Sequence, residues 1–335
     1  RCIFDHKIRM IMKKTGCLLF GILLPLFAQA QEASSVFNFL KQPASAHATA
    51  LGGPAVSLIE DDASLVFLNP ALSSAVSDNT INLNFMTYMQ GSKSGSAAYI
   101  RTAGERNTWG ILAQFSNYGK ITETNEEGIE GGTLSSLDMA LGGVYSYLFN
   151  DYWAGGVTGK FIYSGLAGYQ SIGLAVDLGL NYYNEDADFS LSAVASNVGG
   201  QVKAYNDQFE RIPFDLSVGF TKGMNHAPVR VTVTMNDLTR WNYKYYYNPE
   251  GKEKFGTMLL NHFSLGVDIT PSNSFYLSAG YNFRRAAEMK EAGKSHGAGL
   301  SFGGGLMLQR FKLGVAYAQY HVSTPTLVFN VSYQL

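Results

Sequence analysis

The last nine residues of the chain alternate between apolar and polar side chains. The apolar positions are Leu327, Phe329, Val331, Tyr333 and Leu335, and Asn330, Ser332 and Gln334 lie between them. Successive side chains of a strand point to opposite faces, so this segment predicts a strand with one apolar and one polar face. Such a strand closes an outer-membrane β-barrel, with its apolar face toward lipid, or belongs half-buried to a soluble sheet. The choice depends on how often the pattern recurs.

The start of the chain carries the features of an export signal. Lys13 and Lys14 supply a positively charged region, Leu18 to Phe27 is apolar, and Ala28-Gln29-Ala30 has the small-residue pattern of a cleavage site. We interpret residues 1–30 as upstream sequence plus a Sec signal peptide, with the mature chain starting near Gln31. This interpretation places the protein outside the cytoplasm.

The composition of the remaining chain excludes several classes of protein. Both cysteines, Cys2 and Cys17, precede the expected mature start, which excludes disulfides, thiolate nucleophiles and zinc ribbons. A formal net charge of −1 gives no support to nucleic-acid binding. After Ala30 no apolar run reaches about 18 residues, so a transmembrane helix is not expected. Charged residues make up 15% of the chain, against about 25% in soluble domains, which fits a surface facing lipid.

Period-two alternation predicts fourteen strands. Their expected ranges are Ile81–Met89, Ser96–Arg101, Thr108–Asn117, Leu137–Leu148, Tyr152–Tyr163, Ser171–Tyr182, Phe189–Asn197, Ile212–Thr221, Val229–Asn236, His262–Thr270, Ser274–Phe283, Ala298–Gln309, Phe311–Tyr320 and Thr326–Leu335. Most are about 9–11 residues long, which is the length that crosses a membrane at a tilt.

The predicted connections alternate in length along the chain. Gaps after even-numbered strands are short, whereas the long gaps Tyr118–Ser136, Val198–Arg211, Asp237–Asn261 and Arg284–Gly297 all follow odd-numbered strands. Outer-membrane barrels have short periplasmic turns and longer outside loops. We therefore predict an all-β fold: a fourteen-stranded antiparallel transmembrane β-barrel with both termini on the periplasmic side.

The segment before the first strand does not alternate. It is too apolar to be solvated, and the small inward residues of the strands leave a lumen to fill. We predict that residues 31–78 form a hatch or plug inside a barrel of residues 79–335, rather than a separate periplasmic subdomain. Pro70 fixes its own φ and biases Asn69 away from helix, so Asn69-Pro70-Ala71 is expected to redirect the chain toward the first strand.

Several short sequence motifs resemble those of a known family. They are Phe39-Leu40, Ser45-Ala46-His47-Ala48, Leu51-Gly52-Gly53, Asp61-Asp62, Phe67-Leu68-Asn69-Pro70-Ala71, Gly168-Tyr169, Asp177-Leu178-Gly179-Leu180 and Ser196-Asn197-Val198-Gly199-Gly200. They resemble the PorV/PorQ family of the type IX secretion system, and in size and motif detail the PorQ branch. These proteins are built like FadL fatty-acid-channel barrels, which share fourteen strands, an N-terminal hatch and an Asn-Pro-Ala element.

The resemblance implies a role without catalysis. Proteins of this kind help a translocon deliver cargo and hold surface attachment factors at the outer membrane. The implied partners are a PorZ-like surface protein, a PorU/PorV attachment complex and outer-membrane lipid. The alternative function is a FadL-type channel for hydrophobic small molecules, and neither function implies a cofactor.

One predicted outer loop, Asp237–Asn261, is rich in aromatic residues. Its candidates for partner binding are Trp241, Tyr243, Tyr245, Tyr246, Tyr247 and Phe255. Rigid aromatic side chains with polar tips are common at protein interfaces. The same residues equally fit an extended hairpin within the interfacial aromatic belt, and the sequence leaves both interpretations open.

Charged residues recur at positions that the alternation places inside the barrel. They are Lys160, Asp177, Asp215, Arg230 and Asp268. Because buried charges require compensation, we predict that they pair with one another or with the plug rather than line an open conduit. The six histidines show no ligand spacing, so the sequence predicts neither a metal site nor a catalytic one.

Overall fold

All fourteen predicted strands are present in the computed structural model, which describes residues 35–87, 92–124, 130–166, 168–206, 208–224, 227–241, 254–272, 274–291, 297–321 and 324–335. Their bounds are β1 Thr80–Thr87, β2 Lys93–Ala103, β3 Asn107–Thr124, β4 Glu130–Leu148, β5 Trp153–Leu166, β6 Tyr169–Asn184, β7 Phe189–Lys203, β8 Asp215–Gly223, β9 Val229–Met235, β10 Phe263–Ser272, β11 Phe275–Asn282, β12 Leu300–Met307, β13 Phe311–Ala318 and β14 Thr326–Gln334. The expected signal peptide lies outside the described residues.

The strands form a closed antiparallel barrel in which each pairs with its neighbours in sequence. Closure is made by β1 and β14, whose register joins Thr80 to Gln334 and Phe85 to Phe329. We call the end where β1 starts and β14 finishes the short-turn end, and the opposite end the long-loop end. Within the described ranges, no helix is both long and apolar enough to cross a membrane.

The predicted alternation of faces is confirmed. Leu265, Val267, Val315 and Phe329 point outward and are exposed, whereas their polar neighbours such as Ser264 point inward and are buried. Aromatic rings group on the outside at the short-turn end, where Tyr99 lies 6.1 Å from Trp109, Trp153 5.2 Å from Tyr182 and Phe311 4.5 Å from Tyr333 between ring centroids. An apolar band bordered by an aromatic girdle is the outer surface of a membrane barrel.

The wall is much taller on one side than on the other. Strands β3 and β4 have 18 and 19 residues, whereas β9 has 7. The segments Tyr118–Ser136 and Val198–Arg211, predicted as loops, therefore consist partly of strand. The prediction was wrong there because a strand that rises above the lipid has water on its outer face, and the apolar alternation is lost while the hydrogen-bond ladder continues.

Two other predicted loops contain helices. The helix Phe255–Leu260 precedes β10, and the helix Phe283–Glu291 follows β11. Both lie at the long-loop end, where β8 to β11 stop early. The second helix brings Arg284 and Arg285 over the lumen, as described below.

The segment before β1 crosses the inside of the barrel. Ser35 forms a parallel bridge with Arg211, between β7 and β8 at the long-loop end, and the chain reaches β1 at the short-turn end. The first described residue is thus at the end opposite to the one predicted for the start of the chain. We call residues 35–78 the plug.

The plug is built from short helical turns: Asn38–Lys41, Ala46–Ala50, Ala63–Phe67 and Pro70–Ala75. Three of the four begin at a side-chain cap. Ser45 accepts from Ala48 N, Asp62 from Ser64 N and Asn69 from Ala71 N, as expected of Ser, Asp and Asn before a helix. These caps explain why a segment without alternation still has a defined backbone.

The core lies between the plug and the wall. Phe37 and Phe39 pack with Ile162 of β5, and Val66 packs with Ile100 and Leu112. A further group, Leu51, Leu58, Leu65 and Leu72, is buried among plug residues. The lumen is therefore filled mainly by apolar plug side chains.

Candidate functional site

Glycines of β5 and β6 receive the Asn-Pro-Ala element. At Gly156 an added Cβ would overlap the backbone of Pro70 and Ala71, and at Gly179 it would overlap the side chain of Asn69. Only glycine allows so close an approach of two backbones. The inward glycines of these strands are thus the seat of the plug's lower helix, Pro70–Ala75.

Asn69 organises this contact. Its Oδ1 accepts from Ala71 N at 3.0 Å, and its Nδ2 donates to Val56 O at 2.8 Å. Pro70 occupies the first position of the helix, where its missing N–H leaves no hydrogen bond unmade. One turn later, Ser73 Oγ donates to Ser146 Oγ on β4 at 2.7 Å. The element caps a helix that leads toward β1 and fixes it to the wall.

A second glycine seat lies across the lumen on β10 and β11. Gly52 has φ of +97°, and its backbone approaches Gly280 so closely that a Cβ on Gly280 would overlap it. A Cβ on Gly266 would lie 2.7 Å from Leu51 Cβ. The plug is therefore held at two opposite walls.

A buried ion cluster joins the plug to β9 and β10; it consists of His47, Glu60, Arg230 and Asp268. His47 Nδ1 lies 2.7 Å from Glu60 Oε2, and His47 Nε2 lies 2.8 Å from Asp268 Oδ1. Arg230 Nη2 pairs with Glu60 and donates to Asp268 Oδ2 at 2.9 Å. The ring of His47 stacks on Tyr276 of β11 with centroids 4.0 Å apart.

The cluster is electrically balanced. Burial by itself lowers the pKa of His47, but the carboxylates of Glu60 and Asp268 outweigh burial and raise the pKa from 6.5 to about 10. Burial raises the pKa of Glu60, but His47 and Arg230 outweigh burial and lower it from 4.5 to about 2. Two cations therefore face two carboxylates at neutral pH.

The predicted pairing of inward charges is confirmed for Lys160, Asp177, Arg230 and Asp268, whereas Asp215 accepts hydrogen bonds from uncharged donors of the barrel. Arg230 and Asp268 belong to the ion cluster, and Lys160 Nζ lies 2.5 Å from Asp177 Oδ2. Asp215 accepts from Asp237 N at 2.6 Å and from Ser217 Oγ at 2.6 Å.

A cavity of about 1190 Å³ lies between the plug and the long-loop end. We call it the vestibule. The plug contributes lining residues between Ser35 and Val56, together with Phe67 and Leu68. The barrel contributes residues of β3, β5, β7, β8 and β11, the segment 236–241 after β9, and the helix Phe283–Glu291. The vestibule exists because this side of the wall is low and the plug fills only the lower lumen.

Positive charge exceeds negative charge on the described lining. The cations are Lys41, Lys160, Arg211, Arg240, Arg284 and Arg285, and the carboxylates are Asp215, Asp237 and Glu288. Asp237 lies 3.2 Å from Lys41 Nζ and 2.8 Å from Arg284 Nη1. Burial raises the pKa of Asp237, but Lys41 and Arg284 outweigh burial and hold it below its usual value.

Arg285 differs from the other vestibule cations. Its residue is 8% exposed, Nη2 donates to Gly52 O at 3.2 Å, and Cζ lies 4.1 Å above the Tyr320 ring. Its Nη1 is buried and has no hydrogen-bond partner among the described residues. A buried guanidinium with an unmet donor is a costly arrangement.

Of the aromatic candidates for partner binding, the structure describes Trp241 and Phe255. Trp241 stacks with Phe255 at 6.5 Å and packs against His262 in a tilted arrangement at 4.3 Å, both between ring centroids. Trp241 is 42% exposed and Phe255 is 63% exposed, at the long-loop end. Tyr243, Tyr245, Tyr246 and Tyr247 lie outside the described residues, so the choice between partner surface and aromatic belt stays a prediction.

Sequence reasoning missed the vestibule and the plug's share of the ion cluster. The sequence did contain one signal for the vestibule, the pair Arg284-Arg285 directly after an alternating strand. Two arginines at the end of a strand indicate a charged surface at that end of the barrel. Among the described residues, no group of three or more His, Cys, Asp or Glu has the arrangement of a metal site.

No protein-family model and no curated protein matches the chain. Several solved structures are similar to the chain. The toluene transporter TodX of Pseudomonas putida has 14% identity and a TM-score of 0.55, with 90% of this chain and 99% of that chain covered. The toluene transporter TbuX of Ralstonia pickettii has 13% identity and a TM-score of 0.54, with 90% and 100% covered.

A FadL homologue of Pseudomonas aeruginosa is also similar, with 11% identity, a TM-score of 0.50, and 87% and 98% covered. At such identities the similarity establishes the fold alone. The chain has the fourteen-stranded FadL-like barrel fold, which is a fold of outer-membrane proteins. These similar structures are transporters and channel-type barrels rather than enzymes.

Proposed function

We propose that this protein is an outer-membrane channel that takes up small molecules with a large apolar part, entering through the vestibule. The observation that carries the proposal is the vestibule itself, a cavity of about 1190 Å³ between the plug and the long-loop end. Ligand sites in proteins are typically concave, about 300–1,000 Å³ and mostly apolar, with a few placed polar groups. The proposal includes export with the predicted signal peptide and residence in the outer membrane.

The lining of the vestibule supports an amphipathic rather than a purely polar cargo. Leu40, Val56, Phe67 and Leu68 of the plug and Ile212 of the barrel are apolar residues of the lining. Three of the charged groups, Lys41, Arg240 and Arg284, lie around Asp237 near the long-loop end. A molecule with an apolar body therefore has an apolar wall to contact as it leaves the charged rim.

Two of the solved structures are named as toluene transporters, which makes toluene a reasonable first cargo to test. Passage requires the plug to move, because its lower helix and its Gly52 turn contact opposite walls. The seat at Gly156 and Gly179 is the part that has to open, since it blocks the lumen toward the short-turn end.

The plug can be locked by a disulfide to test this movement. Ser73 and Ser146 have side-chain oxygens 2.7 Å apart, and no native cysteine follows Cys17. We expect S73C/S146C to form a bridge between plug and wall. The measurement is uptake of radiolabelled toluene by cells that lack other hydrocarbon channels, with S73C as the matched control.

The expected result is uptake by the unaltered protein and by S73C, loss of uptake by the oxidised double variant, and recovery after reduction. Equal uptake with and without the protein would overturn the channel proposal. Uptake that continues through the oxidised, fully bridged variant would show that cargo does not pass through an opening of the plug.

A second candidate function is docking of surface factors, as in the PorV/PorQ family. Two observations favour it: the plug is fixed at two walls, and Trp241 and Phe255 are exposed together at the long-loop end. In this function the barrel is a membrane anchor, and its proposed partners are a PorZ-like surface protein and a PorU/PorV attachment complex.

Co-purification separates the two functions. Replacing residues 241–247 with a Gly/Ser loop should leave the barrel folded, because β9 ends at Met235 and β10 begins at Phe263. If the protein docks surface factors through this loop, the replacement should release a surface partner. If the protein is only a channel, the replacement should release no partner and toluene uptake should be unchanged. Retention of every co-purifying protein would exclude this loop as the docking site.

A further inference from the structure

We propose that the low side of the barrel is a membrane-thinning surface, and that its partner is an outer leaflet whose lipid headgroups lie level with the rim of the vestibule. We call β9 to β13 the low wall and β3 to β7 the tall wall. The inference rests on the outer-membrane residence included in the proposed function, and it is independent of which cargo the vestibule takes.

The tall wall has an apolar outer surface of the usual height. On β4, Leu137, Leu141 and Tyr145 are exposed, and Tyr147 continues the same face to the short-turn end. A strand rises about 3.3 Å per residue and is tilted by about 35–45°, so the ten residue steps from Leu137 to Tyr147 cover about 25 Å of bilayer. This is the height of the apolar band of outer-membrane barrels.

The low wall has a much shorter apolar surface. On β12 the exposed apolar side chains run from Leu300 to Leu306, and on β13 they run from Phe311 to Tyr317. Each run covers six residue steps, which is about 15 Å of bilayer at the same rise and tilt. Leu306, like Tyr147, lies one residue from the short-turn end of its strand. The missing height of about 10 Å is therefore at the long-loop end.

The chain above the low wall is not suited to hydrocarbon. Within the described residues, the upper ends of these strands lead into the turn 236–241, the helices Phe255–Leu260 and Phe283–Glu291, and the segment 297–299. Turns and the ends of short helices carry N–H and C=O groups that lipid tails cannot satisfy. A bilayer of full thickness would place these segments in hydrocarbon, whereas a bilayer thinned on this side leaves them among headgroups and water.

Tilting of the barrel does not remove the mismatch. Exposed aromatic pairs mark the lower boundary around the circumference: Tyr99–Trp109 on β2 and β3, Trp153–Tyr182 on β5 and β6, and Phe311–Tyr333 on β13 and β14. A tilt would move at least one of these pairs out of the interface, where aromatic side chains are favoured. Thinning on one side keeps all three pairs in place.

Interfacial side chains mark the rim of the low wall. Trp241 and Phe255 are exposed and stacked at 6.5 Å, and the exposed Lys254 directly precedes Phe255. Trp241 packs against His262, the residue before β10, so this group lies directly above the lipid-facing strands. Aromatic rings and lysine are favoured at the headgroup level. The headgroups of the thinned leaflet therefore meet the protein at Trp241, which also lines the vestibule.

Fluorescent labels at two matched positions test the proposal in the full-length protein, reconstituted in phosphatidylcholine vesicles. Leu300 lies seven residues above the short-turn end of β12, and Leu141 lies seven residues above that of β4. Leu300→Cys and Leu141→Cys, each with Cys2 and Cys17 replaced by serine, receive a bimane label. Lipids with a nitroxide on the headgroup or in the middle of the acyl chain quench the label, and the ratio of the two efficiencies gives its depth.

We expect the label at Leu300 to lie about 10 Å closer to the headgroups than the label at Leu141. Equal depths would overturn the proposal and leave the channel function standing, because the bilayer then has one thickness around the barrel. A label at Leu300 that neither lipid quenches, beside a quenched label at Leu141, would overturn it by showing that a protein covers the low wall. If neither label is quenched, the proposed membrane residence is wrong as well.

Trp241 provides a second measurement that needs no label. The chain has three tryptophans, so Trp109→Phe combined with Trp153→Phe leaves Trp241 as the single indole emitter. Its fluorescence should be quenched more by the headgroup nitroxide than by the mid-chain nitroxide, because the rim lies at the headgroup level. Stronger quenching by the mid-chain nitroxide would place the rim in hydrocarbon and overturn the proposal.

Discussion

Arg230 and Arg285 both lie inside the barrel, yet their surroundings differ. Arg230 contacts two carboxylates, Glu60 and Asp268, which also hold His47. Arg285 contacts a carbonyl and a ring, and part of its guanidinium has no partner among the described residues. The charges of the ion cluster are therefore paired with one another, whereas Arg285 keeps a buried donor without a partner among the described residues.

The comparison separates a structural use of charge from a functional one. A buried charge network that is fully paired fixes the position of the elements that it joins, and removing one partner is strongly destabilising. A buried charge that is not fully paired lowers stability unless something else binds it. We therefore expect variants on the ion-cluster side to affect stability and variants in the vestibule to affect binding.

The largest expected effect is that of Asp268→Ala. The substitution leaves Arg230 and His47 with one carboxylate between them in a buried site, which costs about 3–5 kcal/mol of unfolding free energy. Denaturant unfolding in detergent micelles measures the effect. Asp186→Ala, in the exposed turn after β6, is the matched control and should change stability by less than about 0.5 kcal/mol. Equal effects of the two variants would remove the distinction between the two regions.

The ion cluster also predicts how stability depends on pH. The pKa of His47 is raised in the folded protein, so its contribution is complete below pH 6.5 and is lost as the pH rises toward about 10. We expect a loss of about 2–3 kcal/mol between pH 6.5 and 9. The pKa of Glu60 is lowered, so its contribution is complete above pH 4.5 and is lost as the pH falls toward about 2.

Unfolding midpoints measured across this pH range provide the test. His47→Gln should remove the alkaline loss, because glutamine does not titrate, and should reduce the acid loss without abolishing it, because Glu60 then keeps only Arg230 as a cationic partner. A stability profile of the unaltered protein that is flat from pH 6.5 to 9 would contradict a protonated His47.

The strands and their faces could be predicted because lipid imposes a rule on every outward position. Leu313, Val315 and Phe329 are exposed apolar residues wherever the wall meets lipid, and local alternation is enough to find them. Above the lipid the rule ends, which is why the upper parts of β3, β4 and β7 were predicted as loops.

The candidate site could not be predicted because its contacts join distant parts of the sequence. His47 meets Asp268, Gly52 meets Arg285, and Ser73 meets Ser146. Alternation indicates that a charge points inward but not which plug residue it meets. The plug has no period of its own, so its register against the wall depends on glycine seats that become visible only in three dimensions.

A smaller effect is expected from filling one glycine seat. Gly156→Leu places a side chain where Pro70 and Ala71 lie, and overpacking of this kind costs about 1–3 kcal/mol. Gly159→Leu, on the same strand in a position with open space around its Cβ, is the control and should be close to neutral. Trypsin digestion of the folded protein should cut at Lys41 faster in Gly156→Leu than in the control. Equal digestion rates would show that the seat does not hold the plug.

The smallest expected effect is that of Lys41→Gln in the vestibule. The side chain of Lys41 is 35% exposed, and Asp237 keeps Arg284 at 2.8 Å when Lys41 is removed. Because a partly exposed ion pair is screened by water and its acid retains another partner, the loss of unfolding free energy should be below about 1 kcal/mol and should shrink further in high salt. The measurement is the same denaturant unfolding used for Asp268→Ala, at low and high salt. A loss as large as that of Asp268→Ala would mean that vestibule cations also fix the plug, and the vestibule would then have to be counted as part of the structural network.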